Sequence, residues 1–129
     1  ADSTKKKPGS RHYVHVEDVA NAVLFILDNK DVIEQSSKDE LGGNCTKVNI
    51  ASSLELDNLE IAQLIGEYLK KDINYELVDY HSSRPGHDLR YALDGSVLKN
   101  LGWEANKSNK DGLEDVTKWY SDNQDWLRF

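Results

Sequence analysis

Residues 11–27 read RHYVHVEDVANAVLFIL, and the pattern changes midway from one kind of secondary structure to another. Residues 11–16 combine aromatic and β-branched side chains, which are typical of a short strand. Four apolar residues then recur at helical spacing: Val19, Val23, Ile26 and Leu27. Glu17 and Asp18 suit the first turn of that helix, where the helix dipole favours negative charge. The stretch therefore predicts a strand followed by a helix of about three turns.

Short strands and helices continue to alternate toward the C-terminus. Further strands are predicted over residues 47–50 and 75–78. Further helices are predicted to begin at Asp57–Asn58, at Asp94 and at Gly112, and the second of these ends at Gly102. Polar segments rich in turn-forming residues predict loops over 28–44 and 81–88, and a mobile lead-in over 1–10. The sequence thus predicts a small α/β domain over residues 11–129.

The composition limits the kind of protein. The chain has 129 residues, with 23 acidic and 16 basic side chains and a net charge of −7. This length fits one domain, and the acidic balance argues against a nucleic-acid-binding protein, which would carry a basic stripe. The longest apolar stretch, residues 22–27, is far shorter than the about 20 residues of a membrane span. The single cysteine, Cys45, excludes an internal disulfide and suits a reducing compartment. Together these features lead us to expect a soluble cytoplasmic protein that binds neither membranes nor nucleic acid.

Residues 84–91, RPGHDLRY, are the segment richest in candidate binding residues. The proline and the glycine favour a bend that can project Arg84 and His87 toward the same side. A guanidinium group suits a phosphate or a diphosphate, because its planar fork can donate two parallel hydrogen bonds. The alternative is that Arg84 and Arg90 form surface ion pairs with nearby carboxylates: those of Asp79, Asp88 or Asp94.

Other reactive side chains favour simpler interpretations. His12 and His15 suggest a metal site, but alternation along a strand would put their rings on opposite faces. One packed and one solvated histidine is therefore favoured. Cys45 has no base near it in the sequence and is interpreted as a small residue beside a strand. Core and edge packing is the interpretation of four aromatic side chains: Trp103, Trp119, Tyr120 and Trp126.

Several segments together resemble extended short-chain dehydrogenases that act on nucleotide sugars. Residues 11–20 are similar to the family segment R-x-[FYW]-x-[HY]-V-x-D-x-A, and residues 48–50 and 58–60 to its N-I and N-x-E patterns. Residues 84–94 resemble R-P-G-H-D-x-R-Y-A-x-D, the signature of dTDP-glucose 4,6-dehydratases. The C-terminal Leu-Gly-Trp, Gly-Leu and Trp-Tyr pairs continue the pattern, so the resemblance covers almost the whole chain.

The resemblance implies a C-terminal substrate-binding domain without its Rossmann partner domain. Arg11, Asn58, Arg84 and His87 match positions that contact the nucleotide sugar in this family. Arg11 and Arg84 would neutralise the diphosphate. Asn58 would donate an amide hydrogen bond, and His87 would lie near the diphosphate or the nucleoside. The ligand would be a dTDP-sugar, and the family's NAD would be bound by the absent domain of an enzyme expected to be a homodimer.

The sequence contains neither G-x-G-x-x-G nor Tyr-x-x-x-Lys. The resemblance therefore implies the nucleotide-sugar-binding part of an NAD-dependent dTDP-glucose 4,6-dehydratase, with no catalytic residue and no cofactor in this chain. The reaction of that family, a lyase reaction, converts dTDP-glucose to dTDP-4-keto-6-deoxyglucose and water, and we expect the fragment alone to be inactive. Two alternatives stay open: a UDP-sugar epimerase or decarboxylase of the same superfamily, and a free-standing binding module.

Overall fold

A computed structural model of the chain describes residues 1–36, 47–79, 82, 85, 86 and 88–128. The described secondary structure, in chain order, is β1 (Ser10–His12), α1 (Val16–Asp28), α2 (Lys30–Ser36), β2 (Glu55–Asp57), α3 (Asn58–Leu69), β3 (Arg90–Tyr91), α4 (Ser96–Asn100), α5 (Lys110–Asp122) and a 3-10 helix (Gln124–Leu127). This mixture of short strands and helices confirms the predicted small α/β character. Within the described ranges, none of the helices has both the length and the apolar character that crossing a membrane requires.

The chain divides into two compact units, each built from segments that are distant in sequence. The first, here called the sheet unit, comprises Ala1–His12, Glu55–Ala92 and Asn109–Phe129. The second, here called the helical unit, comprises Tyr13–Leu54 and Leu93–Ser108. The predicted lead-in over 1–10 and the single domain over 11–129 stay predictions.

The sheet unit is built on three short strands in the order β2–β1–β3. β1 pairs antiparallel with β2, which puts Arg11 opposite Leu56, and parallel with β3, which puts Arg11 opposite Tyr91. α3 begins directly after β2 because Asp57 and Glu60 form a capping box: the Asp57 carboxylate accepts from the Glu60 N–H and the Glu60 carboxylate accepts from the Asp57 N–H. Two otherwise unpaired N–H groups at the helix start are thereby satisfied.

α3 and α5 pack against each other in the sheet unit. The Tyr68 hydroxyl donates to the Lys110 carbonyl over 3.2 Å. The end of α3 requires a glycine, because a Cβ at Gly66 would lie 2.8 Å from the Lys71 carbonyl oxygen and 2.9 Å from the Ile73 side chain. The chain can therefore turn back tightly against the helix where α3 ends.

The helical unit has its own apolar core. Ala22 of α1, Ile33 of α2, Leu98 of α4 and Trp103 are buried there. Phe25, Ile26, Val48, Ile50, Leu101 and Ala105 pack around them. Apolar side chains from helices and from irregular segments therefore share one buried cluster.

A buried carboxylate ties α1 to a distant loop of the same unit. Asp18 is 2% exposed and accepts hydrogen bonds from the Lys107 N–H, at 3.0 Å, and from the Ser108 hydroxyl, at 2.6 Å. Burial alone would raise the pKa of Asp18, but the bonds from Ser108 and Lys107 outweigh it and lower the pKa. The Ser108 oxygen also accepts from the His15 N–H. Asp18 thus supports the charge-assisted network that holds this loop.

The predicted helices are confirmed. α1 contains the predicted apolar positions, α3 begins at Asn58 with Asp57 as its cap, and α5 covers the predicted final helix. α4 starts two residues after Asp94, whose carboxylate accepts from the Ser96 N–H, and the chain leaves it through Gly102 at a φ of 95°. Periodicity and capping are local signals, which explains this success.

The first predicted strand is too long. β1 ends at His12 instead of residue 16, because the His15 side chain accepts from the Glu17 N–H and caps α1. Residue 16 is already helical. The sequence also gives no indication of β2 or β3, which are three and two residues long.

Two other predicted strands are wrong. Residues 47–50 form no strand: Val48 and Ile50 pack against the helical core, while the Asn49 side chain donates to the Asp94 carbonyl. Residues 75–78 also form no strand, although apolar and polar side chains alternate there. Alternation indicates which side chains can be buried, but it does not supply a neighbouring strand for backbone hydrogen bonds.

The polar segment 28–44, predicted as a loop, contains the helix α2. Ile33 explains this difference, because it is only 1% exposed and its burial in the core stabilises the short helix. Residues 37–46, with Cys45, lie outside the described residues. Of the four aromatic residues interpreted as core and edge packing, Trp103 lies in the core. Three others are exposed, and the Trp119 ring contacts the other two: Trp119, Tyr120 and Trp126.

We predict that Asp18→Ala lowers the free energy of unfolding by about 2–3 kcal/mol, because the buried Ser108 hydroxyl and the Lys107 N–H lose a charged acceptor. Urea unfolding would measure the change. Asp28→Ala, which removes an exposed carboxylate from the same helix, is the control and should have little effect. Equal losses in the two variants would contradict the structural role of Asp18.

Candidate functional site

The alternating side chains of β1 give its sheet two chemically different faces. Arg11 shares one face with its pairing partners Leu56 and Tyr91. Ser10 and His12 lie on the opposite face. Because the strand has only three residues, Arg11 is the single β1 side chain on its face.

Three groups restrain the Arg11 guanidinium. Its Nη1 atom donates to the Ser10 carbonyl at 2.6 Å and to the Leu89 carbonyl at 3.3 Å. Its central carbon lies 4.2 Å from the centroid of the Tyr91 ring, within the range of a cation–π interaction. The remaining nitrogens, Nε and Nη2, donate no hydrogen bond to any of the described residues. This edge of the guanidinium can therefore donate to an added anion.

Gly9 is where Arg11 and Asn58 come together. A Cβ placed on Gly9 would lie 3.5 Å from Arg11 Nη1 and 3.7 Å from the side-chain nitrogen of Asn58. It would also lie only 3.1 Å from the Leu89 carbonyl oxygen. The Asn58 N–H donates to the Gly9 carbonyl at 2.9 Å, which fixes the start of α3 against this segment. A side chain at position 9 would therefore touch both nitrogen atoms and press against the Leu89 carbonyl, which accepts a hydrogen bond from Arg11.

The opposite face of the sheet is held by an ion pair. Arg90 donates from Nε to Glu55 Oε1 at 2.5 Å and from Nη2 to Glu55 Oε2 at 2.9 Å, a paired arrangement that is stronger than a single contact. The Ser10 hydroxyl also donates to Glu55, and His12 Nε2 lies 3.5 Å from Glu55 Oε2. Hydrogen bonds from Arg90 and then from Ser10 lower the pKa of Glu55 to about 2.

These contacts show where the two histidines lie and which carboxylate pairs with Arg90. His12 lies beside Glu55 and Arg90, whereas His15 caps α1. Arg90 pairs with Glu55 rather than with any of the three carboxylates expected from the sequence. Among the described residues, no group of three or more possible metal ligands is arranged to hold a metal ion.

The helical unit contains a separate cavity of about 340 Å³. Its lining includes Ser52, Asp94, Ser96, Lys99 and Trp103. Ser52 already uses its hydroxyl, which donates to the Tyr13 carbonyl and accepts from the Leu54 N–H. Neither Arg11 nor Asn58, the two predicted site residues that the structure describes, lines this cavity, and its described lining offers one lysine beside carboxylates and no arginine.

Comparison with known proteins bears on the chemistry of the sheet unit. The chain is 34% identical over 119 residues to dTDP-glucose 4,6-dehydratase of Streptomyces niveus, a match that covers 90% of this chain and 31% of the relative. It is 31% identical over 119 residues to dTDP-glucose 4,6-dehydratase 1 of Escherichia coli K12, covering 91% of this chain and 31% of the relative. The chain is a homologue of dTDP-glucose 4,6-dehydratases.

The predicted resemblance to dTDP-glucose 4,6-dehydratases is thereby confirmed, and the chain spans about 31% of the length of these two relatives. A protein named probable GDP-L-fucose synthase 1, from rice, is 31% identical over 113 residues, covering 88% of this chain and 30% of the relative. No protein-family model matches the chain. No solved structure matches it either.

The structure brings together two of the four residues that the dehydratase resemblance indicates. Arg11 and Asn58 meet at Gly9. Arg84 and His87 lie outside the described residues. The sequence interpretation missed Gly9, which it assigned to the lead-in, and the position of the glycine two residues before Arg11 was the available signal.

We predict that the stability supplied by the Glu55 carboxylate depends on pH in a defined window. Its pKa is about 2 in the folded protein and 4.5 ordinarily, so the stabilisation is complete above pH 4.5 and is lost as pH falls toward about 2. Urea unfolding of Glu55→Gln should differ most from the wild type near neutral pH, and the difference should shrink through this window.

Glu76→Gln is the matched control, because Glu76 is exposed and belongs to the same unit. It should leave the pH profile of stability close to that of the wild type. A difference between Glu55→Gln and the wild type that stays constant from neutral pH to about pH 2 would contradict the ion-pair assignment.

Proposed function

We propose that the chain is the C-terminal, nucleotide-sugar-binding portion of an NAD-dependent dTDP-glucose 4,6-dehydratase. The convergence of the Arg11 and Asn58 side-chain nitrogens at Gly9 is the observation that carries this proposal. It gains weight from the homology of 90% of the chain to enzymes of that name. In the proposal, catalysis belongs to residues of a longer enzyme, and this portion alone is inactive.

The chemistry of the Arg11 region suits a diphosphate. The Nε and Nη2 groups of Arg11 form an edge that can donate two parallel hydrogen bonds to phosphate oxygens. Asn58 is the first residue of α3, and its side-chain nitrogen lies near Arg11 at Gly9, where it can add a further donor to the site. Arg84 and His87 are proposed as further contacts on the strength of the dehydratase signature, with Arg84 at the diphosphate and His87 at the diphosphate or the nucleoside.

NAD does not fit the residues of this chain. Dinucleotide-binding loops place a glycine-rich turn between a strand and a helix, and the sequence has no G-x-G-x-x-G. β1 is followed by histidine, tyrosine and valine residues before α1 begins. We therefore assign no step through NAD to these residues, and the proposal leaves NAD to another domain of the enzyme, which is expected to be a cytoplasmic homodimer.

The contribution of this portion to catalysis would be binding energy. Contacts to the nucleotide, remote from the reacting sugar, can hold the sugar in its reacting geometry and so lower the barrier to reaction. A related enzyme with a different nucleotide is the second candidate function, because the rice relative has a name that refers to GDP-L-fucose. UDP-sugar enzymes of the same superfamily belong to this second candidate.

We predict that the chain binds dTDP but not NAD in calorimetric titrations at low salt, and that added salt weakens the binding. Arg11→Ala should weaken dTDP binding about tenfold or more, because a charge-assisted contact is lost. Arg84→Ala should act in the same direction. The control, Arg128→Ala, removes the same charge from an arginine whose side chain is 81% exposed, and it should leave the affinity unchanged.

UDP and GDP are titrated in parallel to separate the two candidate functions. Tighter binding of either one than of dTDP would favour the second candidate. An Arg11→Ala variant that binds dTDP like the wild type would contradict the proposed site. Tight binding that salt does not weaken would contradict the dominant part assigned to the arginine contacts.

A further inference from the structure

We propose that Tyr91 is a positioning residue for Arg11, and that its ring holds the guanidinium ready for the diphosphate of a nucleotide sugar. This inference rests on the proposed function and adds a residue that the dehydratase resemblance does not assign to binding. It concerns affinity rather than chemistry, because Tyr91 would act on the ligand through Arg11.

The sheet register places the two side chains together. Arg11 of β1 and Tyr91 of β3 are paired residues in a parallel ladder, so they project from the same face. The Arg11 guanidinium carbon lies 4.2 Å from the centroid of the Tyr91 ring, well inside the about 6 Å limit for an attractive cation–π contact. The contact uses the face of the ring, and a phenylalanine ring would offer the same face.

The contact complements the hydrogen bonds of Arg11. The Ser10 and Leu89 carbonyls both bind Nη1, which restrains one corner of the guanidinium. The Tyr91 ring restrains its plane, which hydrogen bonds at one corner leave able to tilt. A long arginine side chain that is already ordered loses less conformational freedom when a ligand binds, so the affinity is higher.

The position of Tyr91 is itself secured from the other face of the sheet. The preceding residue, Arg90, is held by two hydrogen bonds to Glu55 of β2, and this ion pair reaches across the central strand. β3 has only two residues, so this fastening bears directly on where Tyr91 lies. Tyr91 is 42% exposed, so its ring contributes little to the packing of the core.

The test combines two variants of Tyr91 with one control. Tyr91→Leu removes the aromatic face and should raise the dissociation constant for dTDP about two- to fivefold, the effect expected of an exposed cation–π contact. Tyr91→Phe keeps the ring and should retain the wild-type affinity. Tyr75→Leu, at a tyrosine of the same unit that is 60% exposed, should also retain it.

Two further readouts separate positioning from a general loss of structure. Inorganic pyrophosphate, which lacks the nucleoside, should lose affinity for Tyr91→Leu by the same factor as dTDP. In nuclear magnetic resonance spectra, the Arg11 side-chain protons should show an upfield ring-current shift in the wild type and in Tyr91→Phe, and lose it in Tyr91→Leu. The shift in the wild-type chain decides the contact even if Tyr91→Leu does not fold.

The proposal is overturned if Tyr91→Leu binds dTDP as the wild type does, if Tyr91→Phe is weakened as much as Tyr91→Leu, or if the wild type lacks the ring-current shift. Failure of the proposed function has a different signature: wild-type protein with a normal ring-current shift that binds neither dTDP nor pyrophosphate. Wild-type binding together with an unaffected Tyr91→Leu variant would reject the positioning role alone.

Discussion

β1 makes hydrogen bonds along both of its edges, and this three-residue strand brings together parts of the chain that are far apart in sequence. Its antiparallel partner contains Glu55, and its parallel partner contains Arg90. Gly9, immediately before the strand, accepts the hydrogen bond that anchors the start of α3. The described part of the candidate site therefore depends on strand pairing, and a disturbance of β1 would separate Arg11 from Tyr91 and from the start of α3.

The two faces of the small sheet carry out different tasks. On one face, Glu55 neutralises Arg90 and joins the outer strands. On the other, Arg11 is bound to carbonyl oxygens and an aromatic ring, which restrain it without cancelling its charge. A chain with a net charge of −7 can therefore still offer a local anion site. Such a site would favour a ligand whose charge is concentrated in a diphosphate over an extended polyanion.

The sequence predicts helices better than strands, and particular residues explain why. Asp57 and Glu60 are three residues apart, so the cap that they form is visible in the sequence. The partner of Arg90 is Glu55, 35 positions away, and only the strand register could have indicated it. Arg11 and Asn58 could be proposed as site residues from their match to family motifs. The role of Gly9 could not be predicted, because it depends on the closeness of Gly9 to Leu89 in the folded chain.

A nucleotide diphosphate is proposed to bind at the Arg11 face of the sheet unit. Amide chemical shifts followed during a titration with dTDP would locate the bound ligand residue by residue. We expect the largest changes at Gly9, Arg11 and Asn58. We also expect Gly9→Ala to suppress them, because its Cβ would lie only 3.1 Å from the Leu89 carbonyl oxygen that binds Arg11. Changes confined to the cavity around Ser96 and Trp103, with the β1 amides unmoved, would contradict this proposal.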